Sequence, residues 1–257
     1  MLREAYVLSR PQKVFVVCTA IFITALVLAE ATASKFFSAF RLPFTLHLLG
    51  MTFDEVVMTA GVLAFPITFI VTDIMNEYFG KKGIRFVTMV GMGMVVFEFA
   101  LLRLAIAVPA ADISPVPQEA FETVFGATGR VILGSLTAYL LGQLADITLF
   151  HWLRRLTRGR WLWLRATGST FGSQFIDTLV VLTVAFAGQL AFPQILAITL
   201  FNYSYRFAIA VAITPLIYLA HWLIDAYLGR ELAHTLIEQA AAGTEALPFS
   251  ERSEAAD

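Results

Sequence analysis

The chain has 257 residues, of which 58% are hydrophobic and only 14% charged, with a mean hydropathy of +0.76. Soluble domains carry roughly 25% charged residues, so a chain this apolar needs lipid as its solvent. A net charge of -1 excludes an electrostatic nucleic-acid binder, and a single cysteine, Cys18, excludes an intramolecular disulfide and any cysteine-based metal site.

A spanning helix needs ~20 predominantly apolar residues. Six segments meet that requirement: 13–33, 56–79, 83–108, 126–153, 164–190 and 193–227. They are continuous runs rather than ~10-residue alternations, which argues against a strand barrel. The expected fold is an all-α integral membrane protein of about six transmembrane helices. Residues 1–228 form the transmembrane domain, and residues 229–257 a cytoplasmic tail with a short amphipathic helix and a disordered end. Arg10 and Lys13 before the first run, with Ala31-Thr32-Ala33 after it, imitate a cleavable leader. Because further apolar spans follow, a membrane helix is the simpler reading. The outer connections 42–54 and 110–125 are expected to be short loops, plugs or lids on the extracytoplasmic face.

Charge sets the orientation. Arg3, Arg10, Lys13, Lys81, Lys82, Arg85, Arg154, Arg155, Arg158, Arg160, Arg165, Arg230 and Arg252 all fall on one side of this arrangement. The opposite side has Lys35 and Arg41 in its first loop. Both termini are therefore expected to be cytoplasmic. Trp152, Trp161, Trp163 and Trp222 fall at the same ends, where an aromatic belt would place them.

Ionisable side chains near the bilayer centre cost ~2.5–3.5 kcal/mol each on insertion scales, so each needs a partner or a purpose. Counting from the helix ends puts both Asp177 and Arg206 ~20 Å deep. Thr170, Gln174 and Asp177 share one helix face, and Asn202 lies one turn from Arg206. Opposite charges at comparable depth on consecutive helices form either a buried structural pair or the lining of a substrate cavity. Ser135, Tyr139, Gln143 and Asp146 make a similar stripe on the fourth segment, and Asp73, Asn76 and Glu77 end the second. Lys81, four residues on, is positioned to offset Glu77, whereas Asp73 has no sequence-near partner and is read as facing inward. Glu30 and Glu98 are expected to pair with Arg130 or Arg103.

Ala25, Ala29 and Ala33 form a small-residue stripe suited to close helix packing, within the chain or against a partner. Pro66 and Pro215 are expected to break or kink their helices. No HExxH, GxSxG, Walker A or paired-histidine pattern occurs, and the four histidines are scattered. Neither an enzyme nor a bound metal or other cofactor is expected.

The run Phe65-Pro66-Ile67-Thr68-Phe69-Ile70-Val71-Thr72-Asp73, followed by Glu77-Tyr78-Phe79-Gly80-Lys81, resembles the signature of the YhhQ-type, or VUT, family of queuosine precursor transporters. Arg130 with Ala138-Tyr139-Leu140-Leu141-Gly142-Gln143 to Asp146 is similar to the same family. So are Ser169-Thr170 with Gln174 and Asp177-Thr178, and Arg206 followed by Thr214-Pro215. The resemblance implies import of the 7-deazaguanine bases preQ0 and preQ1 across the bacterial inner membrane, for tRNA modification. It also implies a six-helix fold like the substrate-binding components of energy-coupling-factor transporters. Family members commonly carry an asparagine about five residues before a lysine at the end of the first helix; here Glu30 precedes Lys35. Glu30, Lys35 and Arg130 are read as structural or gating residues.

A guanine-like edge offers two adjacent N–H donors to a carboxylate and an oxygen that wants a donor. Asp177 or Asp73 fits the first role, and Gln143, Gln174 or Asn202 the second. The expected partners are thus a nucleobase and the lipid bilayer, with no nucleic acid, and with a second copy or an energy-coupling module as a further possibility. The alternatives are a substrate-capturing subunit driven by a separate ATPase module, which the alanine stripe would dock, and a membrane scaffold with no substrate.

Overall fold

The computed structural model describes residues 8–156 and 162–242, with side chains outside 140, 142–171, 173, 241 and 242. Its elements run α1 (Arg10–Thr32), β1 (Phe36–Leu48), β2 (Met51–Thr59), a 3-10 helix (Ala60–Ala64), α2 (Phe65–Ala107) and α3 (Gln118–Leu156), then α4 (Leu162–Phe186), α5 (Phe192–Ala212), α6 (Thr214–Leu228) and α7 (Arg230–Ala242). The chain divides into two compact units. One comprises Met1–Val27, Ala64–Met94 and Ile209–Asp257; the other comprises Leu28–Leu63 and Val95–Ala208.

In the first unit the apolar positions of α1 and α2 recur every three or four residues, which is what lets one helical stripe bury. Phe15, Cys18 and Phe22 pack with Ile74, Met75, Tyr78 and Phe79, and Leu228 and Ala233 complete the cluster. Phe15 meets Phe79 edge to face at 5.1 Å and 82°. Helix α2 is interrupted at Gly80, whose φ of 64° and ψ of -170° are open only to glycine. The chain therefore changes direction at the break expected between the second and third segments. Pro215 separates α5 from α6, because it has no N–H to continue the ladder from the preceding turn. The single expected segment 193–227 is thus two helices. The amphipathic helix expected in the tail is α7, whose Ala233, Leu236 and Ile237 face the cluster.

The second unit holds the main correction to an all-α fold. The expected loop 42–54 is part of an antiparallel hairpin, and 56–59 belongs to β2 rather than to a helix. A two-residue turn joins the strands, with Leu49 at φ 48° and Gly50 at φ 82°, the paired positive values that suit strand twist. The register slips between Arg41 and Leu46, around Pro43, which cannot donate to a ladder. The inner end of β2 buries Val56, Met58 and Thr59. Behind it α3 and α4 pack lengthwise. A Cβ on Gly134 would lie 2.8 Å from the Val181 carbonyl oxygen, so glycine is what permits that approach. The alanine stripe is occupied within the chain, since a Cβ on Gly61 would lie 2.5 Å from the Ala29 carbonyl oxygen and 3.0 Å from the Ala33 methyl.

Three helical stretches of the described residues, Arg10–Thr32, Ala60–Ala107 and Phe192–Ala212, are long and apolar enough to cross a membrane. Their outward faces carry large apolar side chains, among them Val17, Leu28, Phe97, Leu104, Phe207 and Val211. Exposed apolar surface on that scale requires lipid.

Candidate substrate site

The second unit gathers the deepest charges. Glu30, near the end of α1, is only 9% exposed and accepts a 2.8 Å hydrogen bond from the Ser135 hydroxyl of α3. Glu98, Asp177 and Arg206 lie close enough to act on the Glu30 charge. Arg206 also acts on Asp177, and its Nη1 donates to the Thr178 hydroxyl oxygen at 3.3 Å. The Thr178 hydroxyl in turn donates to the Gln174 carbonyl, one turn back, at 2.9 Å. Beside this group Phe175 and Tyr203 meet edge to face at 5.7 Å. Three carboxylates, one guanidinium and two hydroxyls thus come from α1, α2, α3, α4 and α5. In a poorly hydrated setting such groups bind polar ligands strongly, because water competes weakly.

The first unit gathers a second group. His221 of α6 points Nε2 at the Asp73 carboxylate, 3.1 Å away, and at that of Glu77, 3.5 Å away. Its ring stacks on Tyr78 at 5.4 Å, and its Nδ1 lies 3.4 Å from the Tyr78 hydroxyl. That hydroxyl donates to Asp225 at 2.6 Å. Tyr78 itself is 1% exposed, so the buried ring fixes where His221 can sit.

The residues expected from sequence divide accordingly. Asp177, Arg206 and Glu30 come together, while Asp73 and Glu77 join His221 instead. Glu77 does not pair with Lys81, because the turn at Gly80 removes the helical spacing that would bring them together. Glu30 and Glu98 form no ion pair with Arg103 or Arg130 among the described residues; Glu30 is held by Ser135, and Arg130 is exposed. Asn202 is buried, and its side-chain oxygen accepts the Thr59 N–H at 3.3 Å, tying α5 to β2. Tyr139 is partly buried on α3, Gln174 is exposed, and Lys35 is exposed between α1 and β1. Gln143 and Asp146 lie on α3 with side chains outside the described residues, as does Thr170 on α4. Sequence reasoning missed His221 and Asp225, although their four-residue spacing puts both on one face of α6. It also matched Glu98 with Arg103 or Arg130, a pairing absent among the described residues.

The stretch from residue 59 to residue 220 matches the family described as "Putative vitamin uptake transporter". The chain belongs to this family. Within the matched stretch lie Asp73, Glu77, Glu98, Ser135, Asp177 and Arg206. The chain is therefore a membrane transporter protein, not an enzyme. It is 33% identical over 182 residues to the probable queuosine precursor transporter of Bacillus subtilis, covering 70% of this chain and 76% of that protein. It is 32% identical to a protein of the same name from Haemophilus influenzae, covering 60% of this chain and 64% of that one. It is 31% identical to the queuosine precursor transporter of Escherichia coli, over 50% of this chain and 55% of that protein. No solved structure matches the chain.

Proposed function

We propose that this chain imports queuosine precursors, the 7-deazaguanine bases preQ0 and preQ1, across the bacterial inner membrane. The observation that carries the reading is the cluster of Glu30, Ser135, Asp177, Thr178 and Arg206 in a chain otherwise built for lipid. Charges so placed are retained at a cost of ~2.5–3.5 kcal/mol each, which a purely structural role does not require. The names of the three relatives supply the substrate class.

In this reading Asp177 accepts the two adjacent N–H donors of the base, and Arg206 donates to its exocyclic oxygen. Tyr203 and Tyr139 offer ring faces for stacking, worth ~1–3 kcal/mol. Six crossings are made by α1, the two limbs of α2, α3, α4, and α5 continued through α6, with both termini cytoplasmic. The fold class is that of the substrate-binding components of energy-coupling-factor transporters. Because Gly61 fills the alanine stripe, the feature that favoured a docked ATPase partner is used inside the chain.

Cells unable to make queuosine precursors, expressing this chain as their sole importer, should regain queuosine in tRNA when fed preQ0 or preQ1. Asp177→Asn should remove that gain at equal membrane abundance. Absence of queuosine despite abundant wild-type protein would refute the reading.

A further inference from the structure

We propose that Asp73, Glu77 and His221 form a binding site for a divalent transition-metal ion, Zn2+ being the best fit, which joins α6 to the first limb of α2. None of these residues belongs to the Glu30–Asp177–Arg206 cluster, so the site stands whether or not that cluster binds a base. Asp73 and Glu77 lie one helical turn apart on α2, and His221 reaches them from α6 within the same compact unit. One ligand atom from each of the three lies within 4.8 Å of the other two. His221 Nε2 is 3.1 Å from Asp73 Oδ2 and 3.5 Å from Glu77 Oε2. Zinc bonds of about 2.0–2.2 Å set neighbouring ligand atoms roughly 2.8–3.6 Å apart at octahedral or tetrahedral angles. The two spacings are those of atoms sharing one ion.

Two carboxylates alone would be a solvated face; the imidazole aimed between them, and the way it is held, make a site. Tyr78 gives its one hydroxyl hydrogen to Asp225 at 2.6 Å, so toward His221 Nδ1, 3.4 Å away, it offers a lone pair. Nδ1 therefore carries a hydrogen, and in the neutral ring Nε2 is a bare lone pair. That lone pair faces two carboxylates, which are acceptors only. A proton on Nε2 would serve one of the two oxygens, whereas a metal ion takes all three donors at once. Metal-ligating imidazoles are held in this way, by a hydrogen bond from the far nitrogen. The donor set picks the ion: imidazole favours transition metals over Mg2+ and Ca2+, two carboxylates disfavour soft Cu+, and the affinity series places Zn2+ above Mn2+. His221 is 14% exposed while the carboxylates are nearly half exposed, so the ion enters from the carboxylate side and keeps water on its remaining positions.

The test is calorimetric titration of the full chain, purified without a histidine tag and stripped with a chelator, against ZnCl2 and MgCl2. The proteins compared are wild type, His221→Gln, Asp73→Asn, Glu77→Gln and His234→Gln. Wild type should bind one Zn2+ per chain, about a hundredfold or more tightly than Mg2+. Each of the three ligand variants should weaken Zn2+ by at least the roughly tenfold that loss of an outer-shell partner costs. His234→Gln, at the exposed His234–Glu238 pair, should leave the affinity unchanged. Co2+ in place of Zn2+ should give a visible absorption band that His221→Gln abolishes, a signature that a histidine with a purely structural role would not produce. Absence of saturable Zn2+ binding, a preference for Mg2+, or wild-type Zn2+ affinity in the three ligand variants would overturn the site. The half-exposed carboxylates tolerate their amides, so Asp73→Asn and Glu77→Gln decide should His221→Gln not fold.

Discussion

His221 and Asp73 stand 148 residues apart in the chain and 3.1 Å apart in space, and with Glu77 they tie α6 to the first limb of α2. The carboxylates are 43% and 46% exposed, so solvent screens the attraction. A double-mutant cycle with Asp73→Asn and His221→Gln should return a coupling of about 0.5–1 kcal/mol in detergent unfolding. A coupling near zero would show that the three groups share a place without sharing energy.

The hydroxyl of Tyr78 matters more than that contact. It is buried with its ring and donates to Asp225. Tyr78→Phe leaves Asp225 without that donor and should cost ~1–3 kcal/mol of stability, read from the thermal midpoint. An unchanged midpoint would mean that Asp225 finds water instead.

Gly80 is the residue that divides α2. An L side chain at its φ and ψ is strained by ~1–3 kcal/mol, so Gly80→Ala should lower the melting temperature and reduce the amount of folded protein in the membrane. Gly134→Ala tests a different cause. Its Cβ would press on the Val181 carbonyl, 2.8 Å away, and should cost ~1–3 kcal/mol through overpacking between α3 and α4. Gly126→Ala is the control, since nothing lies within 4 Å of the added carbon, and it should cause no loss.

Much of this was legible in the sequence, and the rest was hidden for identifiable reasons. Apolar run length marked the stretches that hold the long helices, because the bilayer dictates length directly, but not where β2 ends or where α5 gives way to α6. It also located the break at 80–82, where Gly80 and two lysines interrupt the run. The hairpin was hidden because residues 36–59 are as apolar as a helix, so alternation barely shows, and Pro43 argues against a strand. For the charges, residue counting gave depth but not direction. Asp177 and Arg206 were matched by depth on neighbouring helices. Glu30 and Ser135, 105 residues apart, could not be matched that way. His221 was passed over because a lone histidine carries no signal until Asp73 and Glu77 are placed beside it.

Among the described residues, the Ser135 hydroxyl donates the hydrogen bond that holds the Glu30 carboxyl. Ser135→Ala should cost ~1–3 kcal/mol of stability, and Glu30→Gln together with it should recover part of the loss, since the amide carries no charge to strand. If the double variant is no better than the single one, the cost lies in packing at Ser135 rather than in the carboxylate.

The central claim is that the buried cluster binds a deazaguanine, and the most direct measurement is thermal stability of the purified chain with preQ0, preQ1, guanine and a panel of vitamins, repeated with Asp177→Asn. A bound ligand at a hundred times its dissociation constant stabilises the native state by ~2.7 kcal/mol, which is easily read. The expected result is a rise for the deazaguanines in the wild type that disappears in Asp177→Asn. A well-folded wild type whose melting temperature no nucleobase moves, or an Asp177→Asn variant that responds as fully as the wild type, would contradict it.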